Sequence, residues 1–172
     1  MDSDRPIWKI GVVGERGVGK TSLINRLVFD SFQDSSDGDY DSHFVKKKFV
    51  CEGNEIELLF LEIDPHTLSP KKITGTKAIV FLSDVTDERT LEDLEYLARD
   101  VYEINQKTNF IFLGNKCDLK YNAKFWLDDI KNIAKNYKNS IYGVVSAKTG
   151  ENITPGLNFV CKKVLNYSKS KT

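Results

Sequence analysis

The chain has 172 residues, 25 basic and 25 acidic side chains and 40% hydrophobic residues, so it is the size of one domain and carries no net charge. A chain of this length buries roughly 70% of its unfolded surface and needs no disulfide or metal to hold its core. The even charge removes the electrostatic footprint of a nucleic-acid binder.

Cys51, Cys117 and Cys161 lie far apart and form no C-x-x-C pair, so neither a disulfide framework nor a zinc knuckle is expected. A reducing compartment, the cytoplasm, follows. No apolar run approaches the ~18 residues that span a bilayer. Met1–Pro6 is polar and acidic, unlike a signal peptide. Asp2 excludes myristoylation, and the last residues carry no prenylatable cysteine, so no lipid anchor is read in this chain. The expected organisation is one unanchored domain over residues 1–172, with its core at about 8–167.

The first predicted element is a short apolar strand, Trp8 to Val13, which stops at Gly14. After a glycine-rich loop, Leu23, Ile24, Leu27 and Val28 follow helical spacing. Asp30 to Asp41 is polar and aperiodic and reads as an exposed loop. Strands at Phe44–Cys51 and Ile56–Ile63, joined by Glu52-Gly53-Asn54, read as a β-hairpin. Asp64 to Lys77 reads as irregular, Ala78–Leu82 as a buried strand and Thr90–Asn105 as an amphipathic helix. A strand at Phe110–Leu113, a helix at Phe125–Tyr137, a strand at Ile141–Val145 and a helix at Leu157–Leu165 complete the chain, with the last six residues frayed. Strands alternating with helices predict an α/β fold, a parallel or mixed sheet covered on both faces. In that chain of elements Phe125 and Trp126 read as anchors of a helix to the core or as a partner contact. His43 reads as structural or exposed. Lys46-Lys47-Lys48 reads as a solvated edge that deters aggregation, or as a contact for acidic partners or phosphoinositides.

Three motifs carry chemistry, each just after a strand. Gly14-Glu15-Arg16-Gly17-Val18-Gly19-Lys20-Thr21 fits G-x-x-x-x-G-K-[ST], whose backbone N–H groups curl around an oligophosphate at a helix N-terminus. Lys20 can reach the β- and γ-phosphates, and the Thr21 hydroxyl can ligate Mg²⁺. In Asn115-Lys116-Cys117-Asp118, the Asp118 carboxylate can accept two N–H bonds from one planar edge, which guanine offers at N1 and N2 and adenine does not. The Lys116 stem can lie along the base. In Ser146-Ala147-Lys148, the Ala147 amide can face the base carbonyl while Lys148 flanks the ring. Ligands in such sheets bind outside the carboxyl ends of the strands.

Together these residues resemble a small GTPase of the Ras superfamily, nearest to the Rab type, over about Trp8 to Leu165. Asp84-Val85-Thr86-Asp87-Glu88 is similar to the segment after the fourth strand in Rab proteins. The resemblance implies a three-layer P-loop fold: six strands, mostly parallel, with one antiparallel edge strand and helices on both faces. It also implies GTP or GDP and Mg²⁺ as ligands, and protein partners at the switch surfaces. It extends the phosphate-binding set to Ser22. It adds Phe32, twelve residues past Lys20, and Leu119 to the base site, and Glu62 or Asp64 to the metal site.

The departures fall where the family switches. Between Thr21 and Thr67 there is no threonine for the first switch; its place falls near Gly38 or Asp39, with Ser35 or Ser36 as substitutes. Asp39 could reach Mg²⁺, but its charge would repel the γ-phosphate. The family's D-T-A-G-Q is replaced by Glu62-Ile63-Asp64-Pro65-His66-Thr67. If Glu62 takes the aspartate place, Pro65 replaces the glycine and His66 the glutamine; if Asp64 does, the replacements are Thr67 and Leu68. Either way the glycine amide that senses the γ-phosphate is gone, and proline has no N–H. The second switch reads as shortened. His66 is a candidate water-positioning residue or a surface histidine. Arg16 is an arginine finger in cis or a solvent-facing block to the site. The expected function is guanine-nucleotide binding with very slow hydrolysis; the alternative is an interaction scaffold whose nucleotide is constitutive or absent.

Overall fold

The computed structural model describes residues 5–30, 32 and 44–169. Ser35, Ser36, Gly38, Asp39 and His43 lie outside these described residues. The elements are β1 (Ile7–Val13), α1 (Lys20–Phe29), β2 (Val45–Cys51), β3 (Asn54–Ile63), a 3₁₀ turn (Pro65–Thr67), α2 (Pro70–Ile73), β4 (Thr76–Asp84), α3 (Glu88–Ile104), β5 (Asn109–Asn115), a second 3₁₀ segment (Cys117–Asn122), α4 (Leu127–Ala134), β6 (Ser140–Val144) and α5 (Ile153–Lys169). They form a six-stranded sheet in the order β2-β3-β1-β4-β5-β6, in which only the β2–β3 pair is antiparallel. This is the expected architecture.

Alternation along the strands sorts the core into two layers. Ile10, Val12, Leu58, Val80 and Leu82 point to the face covered by α1 and α5, against Leu23, Leu27, Cys161 and Val164. Val13, Ile63, Phe81 and Phe112 point to the opposite face, against Leu94 and Val101 of α3 and Ile130 of α4. β4 is buried almost throughout, as a central parallel strand must be. Cys51 pairs with Asn54 across a two-residue turn in which Glu52 (φ 51) and Gly53 (φ 78) are both left-handed, the backbone of a type I′ hairpin.

Several boundaries differ from the sequence reading. Phe125 and Trp126 precede α4 instead of opening it: Trp126 is extended, and its N–H donates to Asp129 Oδ2 at 2.9 Å, which starts the helix at Leu127. The same helix stops at Ala134, where Ser140 Oγ donates to the Ala134 and Tyr137 carbonyls. α5 begins four residues before Leu157, because Pro155 falls in the first turn, where a backbone N–H has no intrahelical partner. It continues through Lys169, into the stretch expected to fray. Pro70–Ile73 adds a single helical turn to the segment read as irregular. No helix among the described residues is long and apolar enough to cross a membrane.

Candidate functional site

The carboxyl ends of β1, β4 and β5 converge where the strand order changes direction, the place where open α/β sheets bind ligands. There β1 runs into the loop Gly14–Gly19, and α1 leaves from Lys20. Two glycines are dictated by space. A Cβ on Gly14 would lie 2.4 Å from the Leu82 carbonyl oxygen of β4. A Cβ on Gly19 would lie 2.4 Å from Asn115 Nδ2, and Gly19 has φ 100, which a side chain disfavours. Lys20 folds back over the loop, with Nζ donating to Gly14 O at 2.6 Å and Glu15 O at 3.2 Å. Burial pushes the Lys20 ammonium below the ordinary lysine range, against the upward pull of Glu62, Asp64 and Glu15. Val18 is buried, Ser22 half-buried, and Arg16 and Gly17 are exposed at the tip.

The metal candidates separate. Glu62 stands opposite Val12 in the β1–β3 register, and Thr21 Oγ1 donates to its Oε2 at 2.8 Å. Asp64 is exposed and serves as a cap: its carboxylate accepts from His66 N–H at 2.8 Å and closes the Pro65–Thr67 turn. A hydroxyl and a carboxylate side by side are hard oxygen donors of the kind Mg²⁺ takes, so Thr21 and Glu62 fit that ion. His66 comes to the mouth of the loop, with Nε2 3.7 Å from Glu15 Oε2 and its side chain 79% exposed. Arg16 is also exposed, and the structure gives neither residue a buried, fixed position.

On the opposite side, Asn115 ties two motifs together. Its Nδ2 donates to Val18 O at 2.9 Å, and its Oδ1 accepts from Ala147 N–H at 3.0 Å. The Ala147 amide, expected to face a base carbonyl, is given to Asn115. Lys116 sits in the left-handed region at φ 68, which costs about 1–3 kcal/mol for a side-chain-bearing residue and marks functional sites. Its Nζ donates to Gly17 O at 3.0 Å and to Asp84 Oδ2 at 2.7 Å. Asp118 Oδ1 accepts from the buried Ser146 hydroxyl at 2.7 Å, and that hydroxyl in turn accepts from Thr149 N–H at 3.0 Å. Leu119 and Lys148 are exposed beside them, and Phe32 is half-buried. Cys117 is buried beneath; burial and a hydrogen bond to Glu151 push its thiol up to about 12.

Two residues at this site are not marked as such by the sequence. Asp84, the partner of Lys116, stands opposite Asn115 across β4 and β5. Its signal is a lone acid ending a buried strand. Arg26, in the last turn of α1, donates to the Ala147 and Lys148 carbonyls. The sequence shows only its i,i+4 spacing to Asp30.

The comparisons agree with this geometry. The family model described as the Ras family matches residues 9–166. The chain is 32% identical over 155 residues to mouse Ras-related protein Rab-31 (Mus musculus), covering 84% of this chain and 76% of that one. It is 24% identical over 164 residues to rat Ras-related protein Rab-13 (Rattus norvegicus), covering 92% and 80%. It is 26% identical over 166 residues to a Dictyostelium discoideum protein described as putative Ras-related protein Rab-5B, covering 93% and 77%.

Proposed function

The chain belongs to the Ras family, and on that premise we propose that it binds GTP and GDP tightly, hydrolyses GTP very slowly and changes little in shape between the two. Asp118, oriented by Ser146, accepts from the guanine N1 and N2 edge. Lys116 flanks the base while its ammonium braces the phosphate loop through Gly17 and Asp84. Asn115 holds the phosphate loop and the base loop in register. Lys20 moves from the loop carbonyls to the β- and γ-phosphate oxygens, a stronger charged acceptor. Thr21 and Glu62 hold Mg²⁺, which when bound neutralises charge on the phosphate oxygens.

Hydrolysis transfers the γ-phosphoryl group from the β-phosphate oxygen to water, giving GDP and phosphate. It needs a positioned water and charge stabilisation at the γ-oxygens. The observation that carries the slow-turnover reading is the Thr21–Glu62 pair. With Glu62 in the aspartate place, the amide that would grip the γ-phosphate falls on Pro65, which has none. A ligand shifts conformation only through contacts that differ between two states, and this contact is one of those that differ. His66 and Arg16, both exposed, supply no fixed hold on the water. Its protein partners, in the cytoplasm, then recognise the altered switch surfaces.

Single-turnover hydrolysis of γ-labelled GTP by the purified protein tests this. Affinities for GDP and GTP within about tenfold of one another, with turnover far below that of an efficient GTPase, are the expected result. Robust turnover by the protein alone overturns it. A protein that purifies empty and whose melting temperature is unmoved by GTP is instead a scaffold.

A further inference from the structure

Arg26 holds three backbone carbonyls at once, those of Ala147, Lys148 and Asp30. Its side chain is 14% exposed. Nε donates to Ala147 O at 2.8 Å and Nη2 to Lys148 O at 2.6 Å. Nη1 donates to Asp30 O at 3.1 Å and to Asp30 Oδ1 at 3.2 Å. The Asp30 carboxylate is 90% exposed, so that ion pair contributes little. The weight lies on the carbonyls. A planar guanidinium can serve two of them in one fork, which a lysine cannot. Its charge also suits the last turn of a helix, where the dipole is negative.

The loop it grips closes on itself. Gly150 N–H donates to Ser146 O, Ser146 N–H to Glu151 O, and Thr149 N–H to Ser146 Oγ. That closure leaves the Ala147 and Lys148 carbonyls turned towards α1. Gly150 packs on the Arg26 stem: a Cβ there would lie 3.8 Å from Arg26 Cδ. The same loop carries Ser146, whose hydroxyl orients Asp118. A line of contacts therefore runs from Arg26 through the loop to Ser146 and on to the Asp118 carboxylate.

We propose that Arg26 is a positioning residue for base selection: by anchoring the 146–151 loop to α1, it fixes Asp118 in the orientation that discriminates guanine's 2-amino group. The inference rests on the reading of Asp118 as the acceptor for guanine. Without the anchor the loop shifts, Ser146 loosens, and Asp118 loses its aim while the phosphate loop keeps its own hold on the nucleotide.

The test compares release rates of GDP and inosine diphosphate, which lacks the 2-amino group, from the wild-type protein and from Arg26→Ala and Arg26→Lys. Wild type releases inosine diphosphate about tenfold faster than GDP or more. In Arg26→Ala, GDP release speeds up about tenfold and inosine diphosphate release much less, so the ratio falls towards one. Arg26→Lys keeps the charge but not the fork, so it serves where the alanine variant fails to fold; its ratio falls part of the way. A fall in either variant that still melts cooperatively supports the proposal. An unchanged ratio in both, whatever their melting temperatures, overturns it. Wild-type protein that binds neither nucleotide overturns the base-site reading and this proposal together, an outcome distinct from loss of the Arg26 role alone.

Discussion

The Thr21 hydroxyl donates to Glu62 Oε2 at 2.8 Å, joining the first turn of α1 to the carboxyl end of β3. The sequence from Glu62 to His66 leaves two alignments open for the metal carboxylate. This one hydrogen bond puts Glu62 beside Thr21 and leaves Asp64 to cap a turn.

Glu62→Gln removes the charge and keeps the acceptor oxygen for Thr21. The expected result is normal folding with weakened Mg²⁺ retention. The Mg²⁺ concentration that half-maximally slows GDP release rises about tenfold, the scale of removing one charged partner. Release kinetics across a Mg²⁺ titration, with EDTA as the zero point, measure it. An unchanged midpoint would remove Glu62 from the metal site.

Lys20→Met separates binding from stability. The ammonium is held below its ordinary range by burial, so below that lowered value the nucleotide-free fold carries its full desolvation cost. The cost is relieved as the pH rises towards 10.5, the value for an unburied lysine. The Met variant therefore melts at or above the wild-type temperature near neutral pH, and the difference shrinks as the pH is raised. Nucleotide affinity falls by at least about a hundredfold, the scale of removing a charge-assisted hydrogen bond to phosphate. Calorimetry on nucleotide-free protein and a binding titration read the two effects independently.

Asp118→Asn places an amide nitrogen where guanine presents donors. Guanine-nucleotide affinity drops by about a hundredfold or more, and xanthine nucleotides, with a carbonyl at that position, are favoured. Competition between GDP and xanthosine diphosphate measures the switch. Equal weakening for both would make Asp118 a structural residue.

The fold and the three motifs are legible in the sequence because each motif combines a local pattern with a strand end. Gly14–Thr21, Asn115–Asp118 and Ser146–Lys148 all follow apolar runs, and the contacts of Asn115 with Val18 and Ala147 bring the three together. Contacts between elements distant in the chain are not legible. The Asp84–Lys116 and Arg26–Ala147 contacts join residues whose separation in sequence carries no period. The ends of α4 and α5 also escape a periodicity reading. A side chain farther along the chain, Ser140, stops the first, and proline is tolerated in the opening turn of the second.

Burial and Glu151 push the Cys117 thiol up to about 12, and burial does the same for Cys161. At pH 8 both are thiols, so alkylation of the native protein by iodoacetamide runs about a thousandfold slower at these positions than at an exposed cysteine. Because the folded values are raised, the stabilisation they represent is complete below about pH 9 and is lost as the pH climbs towards 12. Mass-spectrometric labelling at pH 8, with and without denaturant, checks the first statement, and melting temperatures from pH 8 to 11 check the second. Fast native labelling of Cys117 would mean that the 117–122 segment opens readily.

Pro65→Ala restores a backbone N–H at the position three residues after Glu62. Pro65 opens a 3₁₀ turn capped by Asp64, and alanine can adopt the same backbone, so the turn survives at a cost of about 1 kcal/mol or less. The new amide can donate to the γ-phosphate of GTP and has nothing to reach in GDP. Hydrogen bonds to charged acceptors contribute about 1.5–3 kcal/mol, so the ratio of GTP to GDP affinity rises about tenfold. Turnover stays slow, because His66 still has no fixed hold on the attacking water. Parallel titrations with GDP and a non-hydrolysable GTP analogue measure the ratio. If it does not move, the missing amide does not set the proposed balance between the two nucleotides, and the 33–43 stretch, which holds no threonine, becomes the place to look.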